Sequence, residues 1–375
     1  MKASGVTGYL LNGFKEYLCE RKRVVIHGAL SDLKCEKAGV PQGSILGPLL
    51  FLIYINDIVT DIGSNIRLFA DDTSLYIITD NPVSAAVDLN RDISTITTWA
   101  NKWLVNFYPT KTESLIISRY LNRKTNHPHV HMNNTEILEV ESHKHLGIVL
   151  SNDLTWHTHI DYITSKAWGR INIMRKLKHV LDRKSLEKIY VSFIRPVLEY
   201  SDIIWDNCSK TEKLDLEKIQ YEAARIATGA TKLISINNLE KEIGWDTLED
   251  RRRTHKLILF YKMTHNLTPD YLSSLVPPLV GDESIYNLRN ATNLQTPHAR
   301  TKLYSESFLP SVVREWNVLP IEVRNSDSVL SFKNSINKQD CAVITSYYYE
   351  GKRREQLLHT RLRTNCSSLN LNLFQ

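Results

Sequence analysis

The sequence predicts an α+β protein in which antiparallel strands with packed helices come first and helices take over afterwards. Three observations carry this. Apolar runs flank an Asp-Asp pair over residues 66–78, Ile-Arg-Leu-Phe-Ala-Asp71-Asp72-Thr-Ser-Leu-Tyr-Ile-Ile, and read as strand, tight turn and strand. Short strand-like runs recur over residues 115–150, with a turn at Asn133-Asn134 and Gly147 inside the last of them. Residues 157–265 then repeat apolar positions at helical spacing, as in Ile171, Met174, Leu177 and Val180, or Leu214, Leu216, Ile219 and Ala223.

Taken in order, residues 8–20 predict a helix, because Leu10, Leu11, Phe14, Tyr17 and Leu18 recur near helical spacing. Val24 to Ile26 make a short strand punctuated by Gly28. Residues 48–58 are apolar on nearly every face with Pro48 suited to a first turn, which predicts a helix buried on all sides at the core of the first unit. After the Asp-Asp hairpin, Val87, Ile93, Ile96, Trp99, Ala100 and Trp103 form the apolar stripe of an amphipathic helix. Beyond Thr268, prolines at 269, 277, 278, 297, 310 and 320 predict short elements in an irregular, mostly helical, surface-hugging segment. The spacing thus divides the chain into 1–155, 156–265 and 266–375.

Composition narrows the function classes. A chain of 375 residues suffices for two or three compact units. Its net charge of +6 is compatible with a polyanionic partner. Five scattered cysteines lack any Cys-x-x-Cys pair, which argues against a zinc knuckle and fits a reducing compartment, cytoplasm or nucleus. No signal-peptide core follows Met1, and the apolar run over residues 49–55 is too short to span a bilayer.

The chemistry-bearing motifs come in a specific order. Gly39-Val40-Pro41-Gln42-Gly43-Ser44-Ile45-Leu46-Gly47-Pro48 feeds the apolar helix, and Ala70-Asp71-Asp72 follows. Adjacent carboxylates repel and resist desolvation, so a cation between them is the first reading. Trp103-Leu104-Val105-Asn106 with Lys111-Thr112 comes next, then His145-Leu146-Gly147-Ile148, then Arg300-Thr301, Tyr304, Phe308, Pro310, Arg314 and Trp316-Asn317. In this order and wording the chain resembles the reverse transcriptases of non-LTR retrotransposons of the jockey and LINE type.

The resemblance implies a partial polymerase palm over 1–155, a helical thumb over 156–265 and a retrotransposon-type C-terminal extension over 266–375. It implies template-directed DNA synthesis with two Mg²⁺ ions, for which carboxylate oxygens are suitable ligands. Asp71 would be a metal ligand and Asp72 its less critical neighbour. Pro41, Gln42, Gly43 and Ser44 would shape the nucleotide and template surface, and Lys111 would meet or protonate the pyrophosphate. Leu146 and Gly147 would form the primer grip. RNA template, DNA primer and deoxynucleoside triphosphates would be its partners. The family's metal-bridging aspartate has no counterpart before Gly39, where Asp32 lies in the wrong place, and no Cys/His-rich segment follows residues 351–370. The chain is therefore expected to be truncated at both ends and inactive alone, with a non-catalytic nucleic-acid-binding relic as the alternative.

Plainer readings stand beside these. An Asp-Asp pair alone is an ordinary turn, and Lys111 alone an ordinary solvated charge. A strand through His127, His129 and His131 would put all three on one face, as in a metal site. With no acid or cysteine close in sequence, solvent-exposed histidines are expected. Arg251-Arg252-Arg253 with Lys256 reads either as a phosphate-tracking run or as a solvated helix face.

Overall fold

The computed structural model describes residues 5–18, 25–32, 40, 43–118, 127–282, 291–336, 349 and 351–364. The chain forms two compact units, residues 1–143 and 144–375. The first contains α1 (Gly8–Leu18), β1 (Val25–Ile26), β2 (Ala29–Leu30), α2 (Leu46–Ile55), β3 (Asn65–Phe69), β4 (Asp72–Tyr76), α3 (Pro82–Trp103), β5 (Glu113–Ser114), β6 (His131–Met132), β7 (Thr135–Glu136) and β8 (Leu138–Glu139). The chain leaves this unit within β9 (Ser142–His145), which pairs with β10 (Ile148–Ser151).

α3 organises the first unit. Asn81 caps it by accepting from the Val83 and Ser84 amides, Pro82 opens it, and Leu104 ends it in a left-handed conformation. Its buried stripe includes Ile93, Ile96 and Ala100. Ile96 packs with Ile55, Ile58 and the inward residues Ile66, Leu68 and Leu75 of the β3–β4 hairpin. Further along, Ile93 meets Val130, Met132 and Ile137. Asp92, fully buried on the same helix, accepts from the Ser64 amide at 2.7 Å and so ties down the loop that leads into β3.

Two expectations for this unit need correction. α2 is not buried on all sides: Gly47, Leu50 and Ile55 are inside, but Leu49 and Leu52 are more than half exposed. Only one face of α2 is covered, so an all-apolar sequence leaves the other face bare. Among the described residues of this unit the antiparallel sheet is present only as two-stranded pieces, β1–β2, β3–β4 and β6–β7. The strands pair two by two, and β5–β8 is parallel.

The second unit is helical: α4 (His157–Leu177), α5 (Arg183–Ile189), a π-helical turn (Tyr190–Ile194), α6 (Arg195–Glu199), α7 (Asp202–Trp205), α8 (Lys210–Thr228), α9 (Ile236–Ile243) and α10 (Leu248–Thr264). It continues through α11 (Asp270–Ser273), α12 (Lys302–Glu306), α13 (Phe308–Val318), α14 (Ile321–Arg324), α15 (Val329–Ile336) and α16 (Arg353–Arg363). Local sequence sets the helix ends. Ser209 and Glu212 form a reciprocal capping box on α8, Ser235 and Thr247 cap α9 and α10, and Gly229 and Gly244 take the left-handed positions that stop α8 and α9.

One core gathers Ala167, Ile171 and Met174 of α4 with Leu186, Tyr190, Leu198, Trp205, Leu216, Ile219 and Leu248. A second gathers Leu257, Phe260 and Tyr261 of α10 with Val312, Val313, Trp316 and Phe332. α10 is shared, its first residue in one core and its last two turns in the other. The proline-rich part is therefore no surface-hugging segment. Pro269 and Pro320 stand at helix N-caps, and Trp316 and Phe332 of this part are buried.

The basic run 251–256 corrects both of its readings. Arg251 pairs with Glu199, and Arg253 with Glu315 at 3.1 Å. Lys256 is buried between Asp206 at 3.0 Å and Glu315 at 2.6 Å, and Arg252 is buried over the Trp205 ring. These cations are structural partners of acids from other helices. No helix among the described residues is long and apolar enough to cross a membrane.

Candidate active site

The Asp71–Asp72 pair occupies the tip of the β3–β4 hairpin. Five residue pairs run from Asn65↔Tyr76 to Phe69↔Asp72, leaving Ala70 and Asp71 as a two-residue loop. Such loops require a left-handed residue, and Ala70 supplies it at φ +52°. Ile66 and Leu68 point inward and hold the hairpin on α3, so the tip projects from an anchored base. Asp71 and Asp72 are both exposed, and neither side chain makes an ion pair or hydrogen bond among the described residues. Two neighbouring carboxylates with free oxygens fit a hard divalent ion. Among the described residues, no group of three or more His, Cys, Asp or Glu side chains is gathered to hold a metal.

The other expected site residues fall as follows. Pro41 and Gln42 lie outside the described residues. Gly43 has φ +75° with open space around the missing Cβ, so backbone sign rather than crowding calls for glycine. Ser44 Oγ accepts from the Gly47 amide at 2.9 Å and holds the first turn of α2. Lys111 is exposed at the end of a 3₁₀ turn (Pro109–Lys111), its Nζ 5.2 Å from the Tyr108 ring. His129 and His131 are exposed as expected and His127 is half-buried, but two of the three have acidic partners. His127 meets Glu139 at 3.1 Å and His129 meets Glu136 at 2.8 Å. The chain returns through β7 and β8 and brings these acids up, which spacing did not reveal.

Leu146 and Gly147 form the turn of the β9–β10 hairpin, both left-handed at φ +46° and +88°. Tyr200, just past α6, donates its hydroxyl to the Leu146 carbonyl at 2.8 Å. A Cβ on Gly147 would lie 3.0 Å from the Tyr200 ring. Tyr200 therefore fixes the hairpin turn, a role no local pattern announced because the two sites are more than fifty residues apart.

Against this geometry, residues 7–150 match the model of the reverse transcriptase (RNA-dependent DNA polymerase) family. Residues 7–150 thus resemble a reverse transcriptase domain. That stretch contains the hairpin tip, Gly43, Ser44, Lys111 and the Leu146–Gly147 turn. Over 259 residues the chain is 26% identical to a probable RNA-directed DNA polymerase from transposon BS of Drosophila melanogaster, covering 64% of this chain and 28% of that protein. It is 27% identical over 249 residues to the RNA-directed DNA polymerase from mobile element jockey of the same species, covering 63% of this chain and 27% of the relative. A retrovirus-related Pol polyprotein from type-1 retrotransposable element R1 of Bradysia coprophila is 25% identical over 227 residues, 57% of this chain and 22% of that one. The chain thus spans about a quarter of the length of these curated relatives, and its similarity to them runs well past the matched residues 7–150. No solved structure matches it.

Proposed function

We propose that this chain is the palm, thumb and C-terminal part of a non-LTR retrotransposon polymerase, serving RNA-directed DNA synthesis inside the cell, in cytoplasm or nucleus. The observation that carries the reading is a pair of unpartnered carboxylates, Asp71 and Asp72, at the exposed tip of an anchored hairpin within the stretch that resembles a reverse transcriptase domain. Asp71 is the principal metal ligand and Asp72 its neighbour. When bound, two Mg²⁺ ions would supply activation of the primer hydroxyl and charge neutralisation at the leaving pyrophosphate. The chain's own residues do the rest. Gly43 leaves a bare backbone surface beside Ser44 for nucleotide and template, Lys111 offers a cation and proton donor to pyrophosphate, and the Leu146–Gly147 turn, stiffened by Tyr200, holds the primer end.

The described residues bring two carboxylates to this tip, and a two-ion site needs further oxygen ligands. We therefore propose that the chain alone does not extend a primer, although it binds template–primer duplex. Primer extension on an RNA template with Mg²⁺ tests this, and robust incorporation would overturn it. The ligand assignment is tested separately. Mn²⁺ should broaden the NMR amide signals of residues 70–73, and Asp71→Asn should abolish the effect; broadening unchanged by that substitution would overturn the assignment. Salt-dependent binding of an RNA–DNA duplex that survives Asp71→Ala is also what the non-catalytic reading expects, so Asp71-dependent Mn²⁺ broadening, which that reading does not require, is the outcome that separates the two.

A further inference from the structure

Among the described residues His159 is the one histidine that is wholly buried. It stands in the first turn of α4, its ring centre 6.2 Å from that of Trp156 and 6.0 Å from that of Trp205. Its Nδ1 accepts from the Val149 amide at 3.3 Å, which requires a neutral ring with the proton on Nε2. That Nε2 has no partner. Val149 needs the acceptor. β9 and β10 are joined by the two-residue turn Leu146–Gly147, so His145 and Ile148 close the hairpin and Lys144 and Val149 form the next pair. Bonded and non-bonded pairs alternate along an antiparallel ladder, so the Val149 amide points away from β9. His159 therefore holds one side of the hairpin as Tyr200 holds its turn at the Leu146 carbonyl.

The surroundings oppose a charge on this ring. Burial holds the imidazole below its ordinary pKa, and the positive end of the α4 dipole disfavours a cation in the same turn. The acids on the packed elements are already matched. His157 takes Glu212 of α8 at 2.6 Å, and His255 takes Asp202 of α7 at 2.7 Å. Asp206 faces Lys213 at 3.2 Å and Lys256 at 3.0 Å, and Glu199 of α6 faces Arg251 and Arg195. Asp161 of α4 is exposed, Tyr162 is bonded to Lys144, and β10 has no ionisable side chain. The Cys208 thiol is pushed up to about 12 by burial and stays neutral. Arg252, over the Trp205 ring, adds a further positive charge nearby. Protonating Nδ1 would thus remove the acceptor and set two donors, the imidazolium and the Val149 amide, against each other.

We propose that His159 is a positioning residue for the β9–β10 hairpin, holding the Leu146–Gly147 turn in place only as a neutral imidazole and releasing it when the ring takes a proton. What the turn holds, a primer 3′ end, rests on the polymerase reading above. The folded pKa lies below the ordinary one, so the clamp is complete above the ordinary imidazole value of about 6.5 and is lost as pH falls through the folded value. One proton separates clamped from released hairpin, so the clamp weakens roughly tenfold per pH unit across that interval.

The test uses NMR on the full chain. At pH 7 the imidazole nitrogen signals of His159 should show a neutral ring protonated on Nε2; an imidazolium, or a proton on Nδ1, would overturn the proposal. The exchange protection of the Val149 amide should fall roughly tenfold per pH unit below about pH 6.5, while the amides of α8 keep theirs. Protection independent of pH, or an equal fall throughout α8, would overturn it. His159→Asn places an amide oxygen near the position of Nδ1 and does not titrate, so it should keep the Val149 protection and lose the pH dependence. The same fall in that variant would refute the assignment, and the two measurements on the unaltered chain decide the matter if the variant does not fold. Preference for a duplex with a recessed primer end over a blunt one should fade over the pH range in which Val149 protection is lost. A preference that persists where protection is gone would overturn the positioning role. No preference at any pH, with the Val149 profile as expected, would overturn the primer-holding reading and leave the clamp standing.

Discussion

Replacing Glu242 should destabilise the second unit more than any surface change. Glu242 is only 4% exposed, and its carboxylate receives Arg183 at 2.7 Å and the Arg363 fork at 2.6 and 3.1 Å, with Thr360 donating at 3.3 Å. Arg183 is fully buried and also donates to Glu187 at 2.7 Å and to the Glu242 backbone carbonyl at 2.6 Å. Two arginines thus balance two glutamates, and Glu242→Ala leaves a buried guanidinium with half its compensation. Removing one partner of a buried pair costs roughly 3–5 kcal/mol. For a unit of this size that corresponds to roughly 6–20 °C in Tm. The loss should also loosen α16, whose Arg363 would lose both of its bonds to the Glu242 carboxylate. Urea unfolding followed by tryptophan fluorescence measures the first effect, and hydrogen exchange over residues 353–364 the second. A cost below about 1 kcal/mol, or unchanged exchange in α16, would refute the idea that this network fastens the C-terminal helix.

Three further outcomes follow from the same geometry. Gly147→Ala should cost about 1–2 kcal/mol, since it forces a side chain into left-handed backbone and against the Tyr200 ring, and faster exchange of the β10 amides should report it. Burial alone would raise the Asp206 carboxyl, but Lys256 and Lys213 bring it below its ordinary value. Its contribution is therefore present above the ordinary carboxylate range and lost as pH falls through the depressed folded pKa; Asp206→Asn should flatten that acid limb in a series of melts from pH 7 to 2. Asp71→Asn should stabilise the metal-free chain slightly, by about 0.2–1 kcal/mol, by relieving repulsion with Asp72, and should remove any Tm gain given by Mg²⁺ in calorimetry.

Elements whose signals are local were legible in the sequence. The Asp-Asp hairpin announced itself because two apolar runs and a tight turn lie within thirteen residues, and α3 because its apolar stripe from Val87 to Trp103 is regular. Gly147 was marked, and its left-handed turn fits the mark. What depends on distant partners was hidden. Arg251, Arg253 and Lys256 look like a solvated run until Glu199, Asp206 and Glu315 arrive from other helices. α2 looks buried because its sequence is apolar throughout, whereas burial depends on what covers it. The core around Trp316 and Phe332 was masked by prolines that open helices as readily as they break strands. Tyr200 went unread because its partner, the Leu146 carbonyl, is more than fifty residues away in sequence.

The sharing of α10 between two cores makes the helix a phase constraint. Leu248 fits one core and Leu257, Phe260 and Tyr261 fit the other, so the angular relation between them is fixed by the residues that intervene. A single residue inserted between Arg253 and Lys256 would turn one set by about 100° relative to the other, and only one core could then remain packed. Point changes are tolerable along this helix in a way that insertions and deletions are not. Over evolutionary time its length should therefore be held more tightly than its composition.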